Sequence, residues 1–538
     1  MQACKRASTP SRHAGAPSSK TPVFSSTSRA HRCSVAGPYG LCIAPTLHRH
    51  SLERSGLIAC LPQSLRPLAS AKPDCPHGNQ PHHAVAEPPG RPLAAATRNP
   101  RRHSPEIRHK ARQHIADAVA IGLAATRSQP LAQQLLDAMS MGAGGGACGV
   151  FGSAARHAPS LAAFTNAALI HTLDFDDIHD AARLHPTAVT LPAALAAAEL
   201  VGAPPARVIN AVALGNELMC RLGVMYSPMG RGPGSDWFLT QLFGYFGAGL
   251  SAALVMGLSE DHIVSTLGLA YMQAAGGKEA GFGVGATGRS IYPAFAAMGG
   301  VTAALLAKAG VVGPESALDG AASLFRIYLE GPPSAAQVAL LLEPDGWQFA
   351  ATRIKPWPSC RLSHPYVSAV LALRAQLQGA GVRSMVVAVN ASAARLCAPL
   401  IDRRRPCTLQ DAKYSVPYMT AFTLVHGAVD LNTLHLEGLS DPAVLAVADT
   451  IEIAETLQDK PGHPPAEIHA VTTDGREIRV RAGDFDLSDD GVRAKFDACL
   501  AYAGCAQQAD ALWARMDAFD AQRNLDFLFD EGGLGGHM

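Results

Sequence analysis

The sequence predicts a mainly α-helical protein with a large, discontinuous all-α domain and a smaller α+β lid domain. Hydrophobic residues make up 48% of the chain and aromatic residues only 6%, with alanine dominant. This composition favours closely packed helices over a β-sandwich. At 538 residues the chain is too long for one simple core, which indicates two domains or more.

Residues 1–104 are predicted to be disordered or to be a misannotated N-terminal extension. They are rich in Ser, Pro, His and Arg and show no lasting periodicity. Of the 45 Lys and Arg residues 14 precede residue 105, but only 3 of the 44 Asp and Glu residues do. Because this composition also resembles a transit peptide, a mitochondrial location is the alternative to a cytoplasmic one.

Residues 105–353 are predicted to form the helical domain. Ser104-Pro105 matches an N-cap followed by proline at the first helical position. Four apolar residues then recur every four positions on one face: Ile107, Ala111, Ile115 and Val119. The uncharged segment 237–259 is long enough to cross a bilayer, but its glycines indicate a buried helix of small residues, so no membrane is expected.

Residues 354–485 are predicted to form the α+β lid domain. Residues 385–389 are a short β-type run, and the runs 468–471 and 477–480 flank Asp474-Gly475, which is a strong hairpin signal. Helical periodicity returns in residues 486–538, which are expected to rejoin the helical domain. Such an arrangement places a cleft between the domains, and a cleft of this kind suits a ligand.

Charge and cysteine usage exclude several classes of function. After residue 104 the chain has 31 basic and 41 acidic residues, so nucleic acid is not an expected partner. The 12 cysteines include no CxxC pair. A disulfide framework and a structural zinc site are therefore not expected, and a reducing, cytoplasmic location fits.

Segment 174–185 concentrates acids and imidazoles between apolar flanks, in a chain that is only 17% charged. Its ionisable members, apart from one arginine, are Asp174, Asp176, Asp177, His179, Asp180 and His185. Folding should carry these groups into or beside a core, where an unpaired charge is costly and pKa values shift. The segment is therefore the first candidate for a functional site.

Three chemical interpretations of segment 174–185 are open on its residues alone. Residues 176–180 match DDxxD, the magnesium–diphosphate motif of helical terpenoid synthases, although the second metal motif of those enzymes is absent from the sequence. His179-Asp180 would also fit a metal-dependent phosphohydrolase. The third interpretation is an acid/base set that uses no metal, and a purely structural capping cluster is the alternative to all three.

Basic residues recur at two later places in the sequence. Lys278 and Arg289 flank a glycine-rich loop, and residues 355–364 bring Lys355, Arg361 and His364 to the predicted domain junction. Cations opposite an acid/histidine cluster would bind the carboxylates of a small polycarboxylate substrate. They would also stabilise the enediolate that forms when a proton leaves the carbon next to a carboxylate.

Five sequence blocks in order resemble the MmgE/PrpD family, from about residue 105 to the C-terminus. The blocks are His171 to Asp177 with His185-Pro186-Thr187; Gly215 to Arg221; Tyr292 to Gly299 with 303–307 and Gly313-Pro314; Lys355 to Cys360 with His364; and Ala412 to Tyr418. The resemblance implies a helical domain with an α+β lid, a homodimer, and catalysis with neither metal nor cofactor.

The resemblance also implies an active site between the domains. It places Asp174, His185, Lys355 and His364 at the positions of catalytic residues, with His185 as general base or acid oriented by Asp174. Substrate carboxylates would bind to cations, and the candidates are Lys278, Arg289 and Arg361. The expected reaction is dehydration of a 2-methylcitrate-like acid, with decarboxylation or epimerisation as alternatives.

Two residues depart from the family pattern. Phe238 stands where several members carry a histidine, and Arg289 occupies a position that is commonly lysine. Arginine binds a carboxylate but cannot deliver a proton at neutral pH. A relative that binds a carboxylate without catalysis is therefore the alternative to an enzyme.

Overall fold

The computed structural model describes residues 104–529, except 129, 142–144, 227–235, 283–284, 330, 344–345 and 460–462. The predicted N-terminal extension lies outside the described residues, apart from Ser104. Over the described part, the chain is mainly helical with two small sheets, so the predicted mainly α fold with a smaller α+β part is confirmed.

The first part of the chain is helical apart from one short hairpin. Its helices are α1 (Pro105–Ala125), α2 (Leu131–Ser140), α3 (Pro159–Thr172), α4 (Thr187–Val201), α5 (Pro205–Tyr226), α6 (Leu239–Val255), α7 (Glu260–Tyr271), α8 (Glu279–Phe282), α9 (Tyr292–Lys308), α10 (Leu324–Tyr328) and α11 (Ala335–Leu342). The hairpin pairs β1 (Cys148–Val150) with β2 (Ser153–His157).

Helix α6 lies at the centre of this region and packs against α4, α5 and α9. It is the buried helix of small residues that the sequence predicts. A Cβ atom at Gly247 would lie 2.5 Å from Met219 Cγ, so the close approach of α5 requires glycine there. Among the described helices, α5 alone has the length and composition to cross a membrane, but 83% of its apolar window is buried in the protein.

Helix α1 begins where the capping pattern predicts. The Ser104 hydroxyl accepts a hydrogen bond from the Ile107 amide at 3.4 Å, and Pro105 occupies the first helical position. The four apolar residues spaced along the helix are all buried. They face helices of both the first and the last part of the chain.

The second part of the chain is built around a four-stranded sheet. Its elements are α12 (His364–Leu377), β3 (Val382–Val389), α13 (Ala391–Ala394), α14 (Leu400–Arg404), α15 (Leu409–Lys413), α16 (Val416–His426), α17 (Pro442–Asp449), β4 (Ile451–Glu455), β5 (Glu467–Thr472) and β6 (Glu477–Arg481). The strand order is β4-β3-β5-β6, with β3 and β4 parallel and the other pairs antiparallel.

The hairpin predicted at Asp474-Gly475 joins β5 and β6. Gly475 has a φ of 89°, a left-handed conformation that favours glycine. Helices α12 and α16 pack together, α12 covers β5 and β6, and all of them share a second apolar core with the sheet. Residues 354–485 are called the lid below.

The last helices, α18 (Asp489–Ala503) and α19 (Ala509–Asp517), follow the lid in sequence but are not part of it. Phe496, Leu500 and Phe519 are buried in the same apolar core as the helices of the first part. Short 3₁₀ segments connect several elements: Thr287–Ser290, Gln348–Ala351, Arg361–Ser363, Leu436–Ser440, Ala506–Gln508, Phe519–Ala521 and Asp526–Leu528. Residues 105–353 together with 489–529 are called the helical region below.

A candidate active site between the helical region and the lid

A cavity of about 180 Å³ lies between the helical region and the lid, and both contribute side chains to it. From the helical region come Asp174, Ile178, Asp180, Arg183, His185, Trp237, Phe238, Leu239, Lys278 and Tyr292. From the lid come Cys360, Arg361, Leu362, Asn390, Ser392, Arg395, Tyr414, Asp459 and Pro464. The predicted cleft therefore contains acids, cations and an imidazole beside aromatic rings.

The acidic segment follows helix α3 in a tight turn. Asp174 has a φ of 53°, which is uncommon for a residue other than glycine, and its amide donates to the His171 carbonyl at 2.9 Å. This turn directs the Asp174 carboxylate to the cavity. Further along, His179 and Leu184 pair across a single bridge, which returns the chain so that His185 also reaches the cavity.

Asp174 and Lys355 form a buried ion pair. Lys355 Nζ lies 2.5 Å from Asp174 Oδ1 and is fully buried. Burial opposes ionisation of Asp174, but the charge of Lys355, helped by His171, outweighs it and holds the pKa of the Asp174 carboxyl below its ordinary value. Lys355 does not line the cavity and supports Asp174, so its direct contact with substrate stays a prediction.

His185 is oriented by neighbours other than Asp174. Its Nδ1 lies 2.6 Å from the Asp177 carbonyl oxygen and 3.5 Å from Asp176 Oδ2. A carbonyl oxygen can only accept, so Nδ1 carries the hydrogen and Nε2 is the atom left for chemistry. The Asp174 carboxylate, which is the predicted orienting group, is instead engaged with Lys355.

Burial lowers the pKa of His185 to about 4, and the positive Lys355 acts in the same direction, against the charge of Asp176. The imidazole is therefore neutral at pH 7. Its Nε2 carries a lone pair and can take a proton from a substrate. A bound polyanion would raise this pKa and favour the protonated form, so the same atom can also deliver a proton.

Asp176 and Asp177 of the segment are structural. Asp176 Oδ2 lies 2.8 Å from His171 Nδ1, and Asp177 Oδ2 lies 2.7 Å from His114 Nδ1. All four side chains are buried and none lines the cavity. Because the first two carboxylates of the DDxxD match point to different histidines, they do not form a joint magnesium–diphosphate site.

One buried group has a spacing that could hold a metal ion. The candidate ligand atoms of His171, Asp176 and His185 lie within 4.8 Å of one another. However, His171 Nδ1 is hydrogen-bonded to Asp176, and His185 Nδ1 donates to a backbone carbonyl. A metal bound through these two Nδ1 atoms would have to displace both hydrogen bonds.

Cations surround the other end of the cavity. Burial, together with the neighbouring charges of Arg183 and Arg395, lowers the pKa of Lys278 to about 8, so its ammonium is mostly charged at pH 7. Arg361, by contrast, is held by Asp180 through two hydrogen bonds of 2.8 and 2.7 Å. Lys278 and Arg361 thus lie at the cavity as predicted, but Arg361 already has a carboxylate partner.

Two predicted site residues do not reach the cavity. Arg289 is buried behind it, 3.4 Å from Asp411, with its guanidinium over the ring of Tyr414. His364 is fully buried and packs against Trp357, with Nε2 3.2 Å from the Ser359 carbonyl oxygen. Neither residue lines the cavity, so the contact of Arg289 and His364 with substrate stays a prediction.

An aromatic wall faces these polar groups. The ring of Phe238 stacks on Tyr292, with centroids 4.0 Å apart and planes 9° apart. Tyr292 also lies edge-on to His171, and its hydroxyl donates to Thr240 at 3.3 Å. Phe238 therefore makes the cavity apolar at the position where several relatives were expected to carry a histidine.

Sequence reasoning missed several lid side chains and one cation of the helical region. Arg183 lies within the acidic segment, but its left-handed φ of 56°, which directs it to Ser392 of the lid, has no sequence signal. Asn390, Ser392 and Arg395 follow strand β3, and Asp459 follows β4. The carboxyl ends of two parallel strands meet at one edge of a sheet, which is the only signal that groups these residues.

The fold and the cavity define a mainly helical protein with a polar cavity between a helical region and a lid. The family model described as MmgE/PrpD N-terminal domain matches residues 93–337, and the MmgE/PrpD C-terminal domain model matches residues 357–519. The chain belongs to the MmgE/PrpD family, as the resemblance predicts.

Several similar proteins are named cis-aconitate decarboxylase or cis-aconitate decarboxylase-like. The chain is 28% identical to the cis-aconitate decarboxylase-like protein oryM of Aspergillus oryzae, over 73% of this chain and 86% of that protein. It is 28% identical to cis-aconitate decarboxylase of Aspergillus terreus, over 60% of this chain and 68% of that protein. Identity to the Mus musculus cis-aconitate decarboxylase is 24%, over 66% and 75%.

Proposed function

We propose that this protein is a lyase that acts on a small tricarboxylate and that its reaction is decarboxylation of an acid like cis-aconitate. The observation that carries the proposal is the fixed tautomer of His185, whose Nε2 is available at a cavity surrounded by cations. The names of the similar proteins support decarboxylation over the other reactions of the family.

In this mechanism Lys278, Arg183 and Arg395 bind the substrate carboxylates. The negative charge of the bound substrate favours protonation of His185, which then holds a proton on Nε2. The carbon–carbon bond to one carboxylate breaks and carbon dioxide leaves. The electron pair of that bond forms a new double bond to the near carbon of the adjacent double bond. The electrons of the adjacent double bond move to its far carbon, which takes the proton from Nε2.

The aromatic wall supports loss of a carboxylate. A carboxylate held against Phe238 and Tyr292 loses hydration, and its charge is dispersed as carbon dioxide forms. Phe238 is thus compatible with catalysis, even though it departs from the family pattern. The same wall would contribute little to a reaction in which the hydroxyl group leaves as water.

Dehydration is the second candidate, because the lowered pKa of His185 makes its imidazole neutral at pH 7. A neutral Nε2 would take the proton from the carbon next to a carboxylate, and the cations would stabilise the resulting enediolate. The two reactions differ in their products. Decarboxylation removes one carboxylate and adds one hydrogen to carbon, whereas dehydration keeps every carboxylate.

We expect purified protein in D₂O to convert cis-aconitate to a dicarboxylate with one deuterium at carbon, with release of carbon dioxide. Nuclear magnetic resonance of the products measures both features. Protein incubated in parallel with 2-methylcitrate is the comparison. Formation of an unsaturated tricarboxylate from 2-methylcitrate, with cis-aconitate unchanged, would make the protein a dehydratase. If neither acid is consumed, the lyase proposal fails.

The pKa of Lys278 predicts how activity depends on pH. Because the ammonium is charged below its pKa of about 8, carboxylate binding is strong at neutral pH and weakens as pH rises through that value. We expect kcat/KM to fall on the alkaline side, mainly through KM.

Lys278→Arg keeps its charge at these pH values and should flatten the decline. Steady-state kinetics between pH 7 and about 9.5 test this, with Lys308→Arg on the exposed face of α9 as the control. An unchanged alkaline limb in Lys278→Arg would exclude Lys278 as its origin.

A further inference from the structure

Three lysines from distant parts of the chain bind three consecutive carbonyl groups in the turn that carries Asp174. Lys413 Nζ donates to the Leu173 carbonyl at 2.8 Å, and Lys355 Nζ donates to the Asp174 carbonyl at 2.9 Å. Lys495 Nζ donates to the Phe175 carbonyl at 2.8 Å. Together these three side chains are called the lysine clamp.

The members of the lysine clamp come from three separate elements. Lys413 ends helix α15 of the lid, Lys355 lies at the start of the lid, and Lys495 belongs to helix α18 of the helical region. They are 240, 181 and 320 residues away from the carbonyls that they bind. The turn is thus held from both sides of the boundary between lid and helical region.

Each lysine is buried, with 4%, 0% and 7% of Lys413, Lys355 and Lys495 exposed. A buried ammonium is costly unless it is paired. Lys355 pairs with Asp174, and Lys495 lies 2.7 Å from Asp117 Oδ1. Among the described residues no carboxylate lies within ion-pair distance of Lys413, so its buried charge is compensated by the turn itself and by the nearby charges of Asp174 and Asp176.

The position of the turn, directly after the end of a helix, explains why its carbonyl groups can accept hydrogen bonds from three ammonium groups. Helix α3 ends at Thr172, so the following carbonyls lack intrahelical donors and lie at the negative end of the helix dipole. The left-handed φ of Asp174 is unfavourable for a residue other than glycine relative to the right-handed conformation. Three charged donors on successive carbonyls would hold the backbone in this unfavourable conformation.

We propose that Lys413 and Lys495 are positioning residues that fix the turn at Asp174, so that its carboxylate stays directed into the cavity. The inference rests on the proposed function, because it assumes that Asp174 takes part in the reaction at this cavity. Asp174 Oδ1 is held by Lys355, and Oδ2 has no hydrogen-bond partner in the described residues. The direction of Oδ2 therefore depends on the backbone that Lys413 and Lys495 hold.

The test compares Lys413→Met and Lys495→Met with Lys110→Met. Lys110 also donates to a backbone carbonyl, that of Thr352, at 2.8 Å, but it does not touch the turn. We expect the two clamp variants to lower kcat by about 10- to 100-fold with little change in KM, because a displacement of about 1 Å can cost that much. Lys110→Met should keep the wild-type kcat. Lys413→Arg, which keeps charge and donors, should recover most of the loss.

Hydrogen exchange of the peptide that covers residues 173–178 gives a readout that does not need turnover. We expect this peptide to exchange faster in Lys413→Met than in Lys110→Met. Unchanged exchange, or faster exchange with an unchanged kcat, overturns the positioning role. If the wild-type protein turns over neither acid, the proposed function fails, and exchange alone then decides whether the lysine clamp holds the turn. A variant that unfolds is replaced by its arginine counterpart, which must match the wild type in both measurements.

Discussion

His185→Gln should lower kcat by about 10²–10⁴-fold, the usual contribution of a positioned acid/base group. Glutamine keeps a polar side chain at the cavity but cannot exchange a proton near pH 7. Binding should change less than turnover, because the cations that hold the carboxylates are untouched. Steady-state kinetics give kcat and KM, and calorimetry with an unreactive tricarboxylate gives the affinity.

The matched control is His157→Gln. His157 is a buried histidine at the end of β2, and it does not line the cavity. Its replacement should leave kcat within a few-fold of the wild type. If His185→Gln retains a comparable rate, His185 is not the proton-transfer group, and the assignment of the site is wrong.

Lys355→Met should destabilise the protein by about 3–5 kcal/mol, because it leaves Asp174 as a buried charge without its partner. Burial would then raise the pKa of the Asp174 carboxyl, because the charge of Lys355 that outweighs it is gone. Activity should fall as well. The double variant Lys355→Met/Asp174→Asn removes both charges. It should therefore recover part of the lost free energy of unfolding, although not the activity.

Urea unfolding at pH 7 measures these differences, and Arg353→Met is the control. Arg353 forms an ion pair with Asp486 at 2.7 Å, but both side chains are partly exposed, so its loss should cost only about 0–1 kcal/mol. Equal costs for Lys355→Met and Arg353→Met would show that the Asp174 pair is not buried as described.

The Asp174 pair also fixes the sign of a pH effect. The pKa of Asp174 is lower in the folded protein than its ordinary value near 4, so the pair stabilises the fold at neutral pH. This contribution is lost as pH falls below that ordinary value and through the lowered one. Lys355→Met should remove the part of acid sensitivity that Asp174 contributes.

Local patterns were sufficient to predict most of the fold. The cap at Ser104, the glycine-rich helix α6 and the hairpin at Gly475 each depend on a few neighbouring residues, and the structure has all three. Composition and the change of pattern near residue 356 likewise predicted a helical region and an α+β lid. These features follow from backbone geometry and apolar spacing, both of which are present in the sequence itself.

The site was predicted less completely, because the direction of a charged side chain depends on partners far along the chain. Arg289 and Lys278 look equivalent in the sequence, yet Arg289 is buried beside Asp411 and only Lys278 lines the cavity. The sequence block that contains His364 predicted this residue at the site, but its side chain is buried against Trp357 and does not line the cavity. No local pattern distinguishes a cation that faces a cavity from one that faces a buried carboxylate.

The position of Lys495 has a consequence for how the protein is made. Its partner carbonyl, that of Phe175, is synthesised 320 residues earlier, and helix α18 also covers helix α1. During translation, the 320 residues from Phe175 to Lys495 must therefore be synthesised before the segment with Asp174 and His185 gains this contact. A nascent chain that stops before helix α18 can bury much of its core but cannot complete the turn at Asp174. Competence for the reaction should thus appear late and abruptly during synthesis, after most of the secondary structure has formed.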